Sequence, residues 1–135
     1  MAKSILITGC AGFIGSNFSK QFALKFPNTT MIGLDDLSSG RKSEVHKKVV
    51  FYKGSITDSK ILNKIFLKHR PEYIFHFAAI PRVSYSVEFP HKTSNVNILG
   101  TINLLEKAKE YKVKRFISSS SSSVFMGCAI YAGYL

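Results

Sequence analysis

Thr8-Gly9-Cys10-Ala11-Gly12-Phe13-Ile14-Gly15 is the stretch that decides the fold. The apolar run Ser4-Ile5-Leu6-Ile7-Thr8 before it reads as a buried strand. After it, Ile14, Phe18, Phe22 and Phe26 recur every four residues, which places an apolar stripe on a helix. Pro27-Asn28 ends that helix. A strand that turns through three glycines into a helix is the setting in which a glycine loop implies phosphate binding. Glycines there allow a tight turn, close approach of backbone to a pyrophosphate, and close packing of helix on sheet. The helix start then offers unpaired N–H groups and partial positive charge. Gly9, Gly12 and Gly15, with Phe13 and Ile14 at the helix start, are therefore candidate dinucleotide-binding residues.

Outward from this loop, short apolar runs alternate with helical patterns, the signature of a parallel α/β sheet. Thr30–Leu34 forms a second strand closing on Asp35-Asp36, and Val49–Tyr52 a third. Thr57 or Asp58 caps a helix with apolar side Ile61, Leu62, Ile65 and Phe66. Tyr73–Phe77 is a fourth strand. A longer helix carries Ile98, Leu99, Ile102, Leu105 and Ala108, and Arg115–Ser118 is a fifth strand. Right-handed crossovers give a Rossmann-type sheet of order 3-2-1-4-5 with about four helices on both faces. Ligands then belong at the carboxyl ends of the strands beside strand 1.

The chain has 135 residues and a formal charge of +11, with 19 Lys+Arg against 8 Asp+Glu. That balance raises nucleic-acid binding as an alternative. The basic residues are scattered over expected helix faces and loops, with no Arg-rich run, so a solvated surface is the better explanation and no nucleic-acid partner is expected. No apolar run reaches the roughly 18–20 residues of a membrane span, and Met1-Ala2-Lys3-Ser4, leading straight into a short apolar strand, lacks the longer apolar run and small-residue cleavage site expected of a signal peptide. A cytoplasmic protein without a membrane partner is expected. Cys10 and Cys128 are the only cysteines and lie in no metal-ligand spacing, so neither a disulfide nor a metal is expected.

The spacing Gly-x-x-Gly-x-x-Gly, continued by Phe13-Ile14-Gly15-Ser16-Asn17, resembles the extended short-chain dehydrogenase/reductases, in particular the NAD-dependent sugar-nucleotide epimerase/dehydratase family and its UDP-glucose 4-epimerase-like members. The resemblance continues along the chain. Asp35 follows Gly15 by 20 residues, as suits the acid that hydrogen-bonds the adenosine ribose; a carboxylate there repels a 2′-phosphate and favours NAD over NADP. Asp36 beside it is a further candidate. Gly54-Ser55-Ile56-Thr57-Asp58 is similar to the family's loop after strand 3, which implies cofactor contacts at Ile56 and Asp58. His76-Phe77-Ala78-Ala79 resembles the segment lying along the cofactor, which implies contacts at Phe77, Ala78 and Ala79. Asn97, in Asn95–Thr101, matches the Asn packed beside the cofactor. Each has a plainer use as well: Asp35 as a turn former, Asp58 as a helix cap, Asn97 as a surface or capping residue, and His76 as a packed core residue with no chemistry.

Six serines, Ser118 to Ser123, fall where the fifth strand leaves the sheet. A serine-rich linker is one reading. The resemblance supplies another: aligned on Val124-Phe125, Ser121 stands at the catalytic Ser/Thr position, where it would hydrogen-bond the C4 oxygen of a UDP- or dTDP-sugar and help move its proton. Ser122-Ser123 occupies the place where the related dehydratases have Asp-Glu and leaves no acid–base carboxylates, which argues against dehydration. Past Val124 the resemblance stops. Residues 1–125 are expected to be an incomplete NAD-binding domain and 126–135 a tail outside the family pattern. The family's Tyr-x-x-x-Lys, general base and its helper, occurs nowhere in the sequence. Little turnover is expected from the chain by itself, which reads as a fragment, a truncated or frameshifted remnant, or a non-catalytic dinucleotide binder. Self-association through the uncovered sheet edge is expected.

Overall fold

The computed structural model describes residues 3–120. In order, the elements are β1 (Ser4–Thr8), α1 (Phe13–Lys25), β2 (Thr30–Asp35), a 3-10 turn (Lys42–Glu44), β3 (Val49–Lys53), α2 (Ser59–His69), β4 (Tyr73–His76), α3 (Val83–Glu88), α4 (Pro90–Ser94), a π-turn (Asn95–Gly100), α5 (Thr101–Glu110) and β5 (Arg115–Ser118). All strand pairs are parallel and the order is β3-β2-β1-β4-β5, as the sequence leads one to expect. Every residue of β1 is buried, because a central parallel strand is covered on both faces and cannot alternate with polar residues.

The two faces divide by strand parity. On one, Ile5, Ile7, Met31 and Val49 pack with Cys10 and Ala23 beneath α1. On the other, Leu6, Ile32, Leu34 and Ile74 pack against Leu62, Ile65 and Phe66 of α2 and Leu104 of α5. Burying each such side chain contributes about 1.5–3 kcal/mol. Cys10 is completely buried over Gly33, where an added Cβ would lie 2.6 Å from its sulfur. Its small size is what the packing uses.

Two helical stripes differ from the sequence reading. Ile14 is 56% exposed. Helix α1 instead buries Gly15, Ser16, Ser19 and Ala23, small residues that let the helix lie close to the sheet, while Phe18 and Phe22 lean sideways onto Phe75 of β4 at 4.4 and 5.9 Å between ring centres. The long helix expected around Ile98 runs without interruption from α4 through the π-turn into α5, with Asn95, Gly100 and Thr101 all keeping helical backbone angles. Ile98, Leu99, Ile102 and Leu105, read as its apolar side, are all substantially exposed. The inward residues are Val96, Gly100, Leu104 and Ala108, four apart. Gly100 fixes that register, since a Cβ there would sit 2.6 Å from the side chain of Ile56. Among the described residues no helix is long and apolar enough to cross a membrane, and no cluster of His, Cys, Asp and Glu could hold a metal.

Candidate functional site

A cleft of about 510 Å³ opens at the carboxyl ends of β1, β2 and β4, where the order of strand connections reverses direction. The glycine loop forms its floor, and its three glycines do different work. Gly9 has φ of 70°, and a Cβ on it would lie 2.7 Å from the backbone of Phe77 and Ala78. A Cβ on Gly15 would collide with the Gly9 carbonyl oxygen, so this glycine is required for α1 to reach the loop. Gly12 is unlike both: its Cβ would meet only the Gly9 oxygen at 3.4 Å, an ordinary contact. Nothing inside the protein requires a glycine there. Gly12 lines the cleft and caps α1 without a side chain, leaving the helix start bare toward the cleft. No acidic residue occupies the first turn of α1, so its partial positive charge is not offset.

Asp35, at the end of β2, closes the cleft on one side. It is buried, accepting the Ala11 N–H at 2.9 Å through Oδ2 and the Leu37 N–H at 2.8 Å through Oδ1. A carboxylate has about four lone-pair positions, so acceptor capacity remains for a ligand hydroxyl. Asp36 accepts the Ser38 N–H at 2.8 Å. The two acids together hold Leu37 at a φ of 62°. Burial, with the neighbouring Asp35 carboxylate, pushes the Cys10 thiol up to about 12. It stays protonated and inert at neutral pH.

The opposite wall is the segment Phe77-Ala78-Ala79-Ile80-Pro81-Arg82. The Asn97 side chain grips its middle, accepting the Ile80 N–H at 2.8 Å and donating to the Ile80 carbonyl at 3.0 Å. Asn97 thus shapes the wall and is not itself among its lining residues. His76 beneath it is buried, with Nδ1 2.7 Å from the Thr8 hydroxyl and Nε2 3.0 Å from the Thr101 hydroxyl. Burial holds the imidazole below its ordinary value.

Gly9, Gly12, Asp35, Asp36, Ile56, Phe77, Ala78 and Ala79 therefore converge on one cleft. Phe13 and Gly15 are not among the residues lining it; the side chain of Phe13 is 86% exposed at the start of α1, and Ile14 likewise contributes no side chain to the lining. Asp58 caps α2, accepting the Lys60 N–H at 2.9 Å and the Ile61 N–H at 3.4 Å, and lies outside the lining. Ser121 and the tail lie outside the described residues. Sequence reasoning missed Ser38 and Ser39 beyond β2, and Arg82, Tyr85 and Lys92 on and beside α3 and α4. The Tyr85 side chain first, and the Asp36 carboxylate at longer range, raise the Lys92 ammonium above its ordinary value. The cleft thus has both acids, Asp35 and Asp36, and two cations, Arg82 and Lys92, among its lining residues.

Residues 6–127 match the model of a family described as GDP-mannose 4,6 dehydratase. Among curated proteins, the dTDP-D-glucose 4,6-dehydratase of Dictyostelium discoideum is 40% identical over 131 residues, a match covering 91% of this chain and 30% of that protein. Among solved structures, the UDP-glucose 4-epimerase of Thermotoga maritima with UDP-glucose superposes with a TM-score of 0.84 at 42% identity, covering 87% of this chain and 38% of that one. The Thermus thermophilus UDP-glucose 4-epimerase in complex with NAD gives 0.79 at 34% identity, covering 84% and 36%. The chain thus spans between 30% and 38% of the length of these relatives.

Proposed function

The chain belongs to the GDP-mannose 4,6 dehydratase family, and from that membership we propose that it is the NAD-binding part of a cytoplasmic nucleotide-sugar epimerase acting at C4 of a UDP- or dTDP-sugar. The observation that carries this reading is Gly12: a glycine that no internal contact requires, at the bare start of α1, facing a cleft with Asp35 at its other side. A backbone stripped of its side chain toward an open cleft serves something that enters the cleft.

In this reading Gly9, Gly12 and the N–H groups of Phe13, Ile14 and Gly15 hold the pyrophosphate. Asp35, with Asp36 beside it, accepts hydroxyls of the adenosine ribose. Ile56, Phe77, Ala78 and Ala79 exclude water from the cofactor, Asn97 fixes the wall that does so, and Asp58 reaches the adenine amino group while capping α2. When bound, NAD supplies reversible hydride acceptance, by which C4 of the sugar is oxidised and then re-reduced from its other face. Ser121 hydrogen-bonds the C4 oxygen. Residues 1–125 form the cofactor domain and 126–135 lie outside it. The sequence holds no Tyr-x-x-x-Lys, and a serine cannot supply a general base of lowered pKa. In this reading these residues supply the cofactor site and Ser121, and the reaction's general base is not among them.

Titration of the chain with NAD and NADP by calorimetry tests the cofactor assignment. NAD binding in preference to NADP is expected, and Asp35→Asn should narrow the preference by about 1–3 kcal/mol, the worth of a charge-assisted hydrogen bond. Equal or tighter binding of NADP by the unaltered chain, or no binding of NAD, would overturn it.

A further inference from the structure

His76 stands at the centre of a chain of hydrogen bonds that ends on the cleft wall at two places, and the direction of each bond can be worked out. The Thr101 hydroxyl donates to the Asn97 carbonyl at 2.8 Å. Its one proton is spent there, so at the 3.0 Å contact with His76 Nε2 the imidazole is the donor. A neutral ring protonated on Nε2 leaves Nδ1 bare, and Nδ1 accepts from the Thr8 hydroxyl at 2.7 Å. Thr8 Oγ1 is then free to accept the Ala78 N–H at 3.4 Å. Every donor has one acceptor, and the order holds only for one tautomer.

The two ends of this chain both reach the wall. Thr8 meets Ala78, and Asn97, whose carbonyl takes the Thr101 proton, grips both polar backbone groups of Ile80 with its side chain. Asn97 stands in the π-turn, which carries into Thr101 at the start of α5. Such turns are rare and concentrate at functional sites. The groups packed on the ring are uncharged: Thr8 from β1, Phe116 from β5 with ring centres 5.7 Å apart, and Thr101 from α5.

We propose that His76 is a positioning residue for the cofactor cleft: as its neutral Nε2–H tautomer it ties Ala78 and, through Thr101 and Asn97, Ile80 into the wall geometry that receives the dinucleotide. This rests on the reading of the cleft as an NAD site. A second proton, on Nδ1, would make the ring a donor to the Thr8 hydroxyl, whose own proton, turned away from the ring in a fully buried site, is left without an acceptor. Relieving that orphaned donor moves Thr8 from its place beside Ala78, so affinity for NAD falls with acid even while the sheet stays folded.

The test is NAD titration of the chain from about pH 8 downward to the acid side of the ordinary imidazole range, since burial holds His76 below it, with circular dichroism confirming the fold at each point. The unaltered chain should lose about tenfold in NAD affinity on acidification, and His76→Gln should flatten the profile. At the alkaline end, Thr101→Val should bind NAD about fivefold to tenfold more weakly, the worth of one hydrogen bond, and Thr101→Ser should restore binding. Nitrogen NMR of the unaltered chain reads the tautomer directly, so the idea remains open to refutation where a substituted chain fails to fold. A ring protonated on Nδ1, a Thr101→Val chain with unaltered affinity, or the same pH profile in His76→Gln would each overturn the proposal while leaving the NAD site standing. Failure of the unaltered chain to bind NAD at any pH would overturn the NAD reading and this proposal with it.

Discussion

Gly9 and Gly12 look alike in the sequence and have different fates when changed. An alanine at Gly9 would need a side chain at φ of 70° and 2.7 Å from the Phe77–Ala78 backbone. Neither the strand nor the loop can yield, so Gly9→Ala should cost on the order of 3 kcal/mol or more, a large share of the roughly 5–15 kcal/mol that holds an ordinary domain together. Gly12→Ala meets a 3.4 Å contact only. Its stability should change by about 1 kcal/mol or less, the difference between these residues at a helix cap, while NAD binding falls at least tenfold. Thermal unfolding and cofactor titration of the two variants check this; equal effects on both measures would remove the argument from Gly12. The glycines and Asp35 were legible in the sequence because their roles are local, set by the backbone within a few residues. Arg82, Tyr85 and Lys92 were not. Their arrival in the cleft depends on where the chain breaks between α3 and α4, and no periodicity announces that break.

At the scale of elements, the caps and the small-residue contacts set the register, and apolar periodicity alone misleads. Asp58 accepts two N–H groups at the start of α2, an 11-residue helix that supplies Leu62, Ile65 and Phe66 to the core. Removing the cap with Asp58→Ala should lower stability by about 0.5–2 kcal/mol, and Asp58→Ser should recover most of it; chemical denaturation of the three chains measures this. That cap was readable from the sequence, since a short acid before an apolar helical pattern has a mechanical reason to be there. The face of α5 was not. Ile98, Leu99, Ile102 and Leu105 make a plausible apolar stripe, yet the need to seat Gly100 against Ile56 turns Leu104 inward and these four outward. Tertiary packing decided between two stripes that the sequence offers equally.

Across the whole molecule the strand order and the placement of the cleft followed from alternation and handedness, and the consequences that remain are those of charge and of uncovered surface. His76 and His69 are both held below the ordinary value of 6.5, chiefly by burial, with the Lys68 charge also acting on His69. Above 6.5 both are neutral in folded and unfolded chains alike and cost nothing. As pH falls below that value the unfolded chain takes up protons the folded chain refuses, so stability is lost progressively until the folded groups themselves titrate. The unfolding temperature should therefore fall between about pH 7 and pH 5, and His76→Gln should reduce the slope. With a formal charge of +11, repulsion adds to acid loss but is screened by salt, so a slope that persists in high salt belongs to these two histidines, and chiefly to the buried His76. A rising unfolding temperature on acidification would contradict the assignment. The second consequence lies at the far side of the sheet. Among the described residues no strand pairs with the outer edge of β5, and Ile117, which shares a face with Phe75 through the parallel register, is 38% exposed. Helix α1 covers β4 and the residue after it, through Phe18 and Phe22 on Phe75 and Phe18 on Phe77. An unpaired edge beside an apolar face is a template for another chain. The 135-residue chain should sediment as a concentration-dependent mixture of species, and Ile117→Lys should shift it toward monomer while changing stability by no more than about 0.5 kcal/mol, as for other surface positions. A unaltered chain that sediments as a single monomer at all concentrations would show that this face is not adhesive.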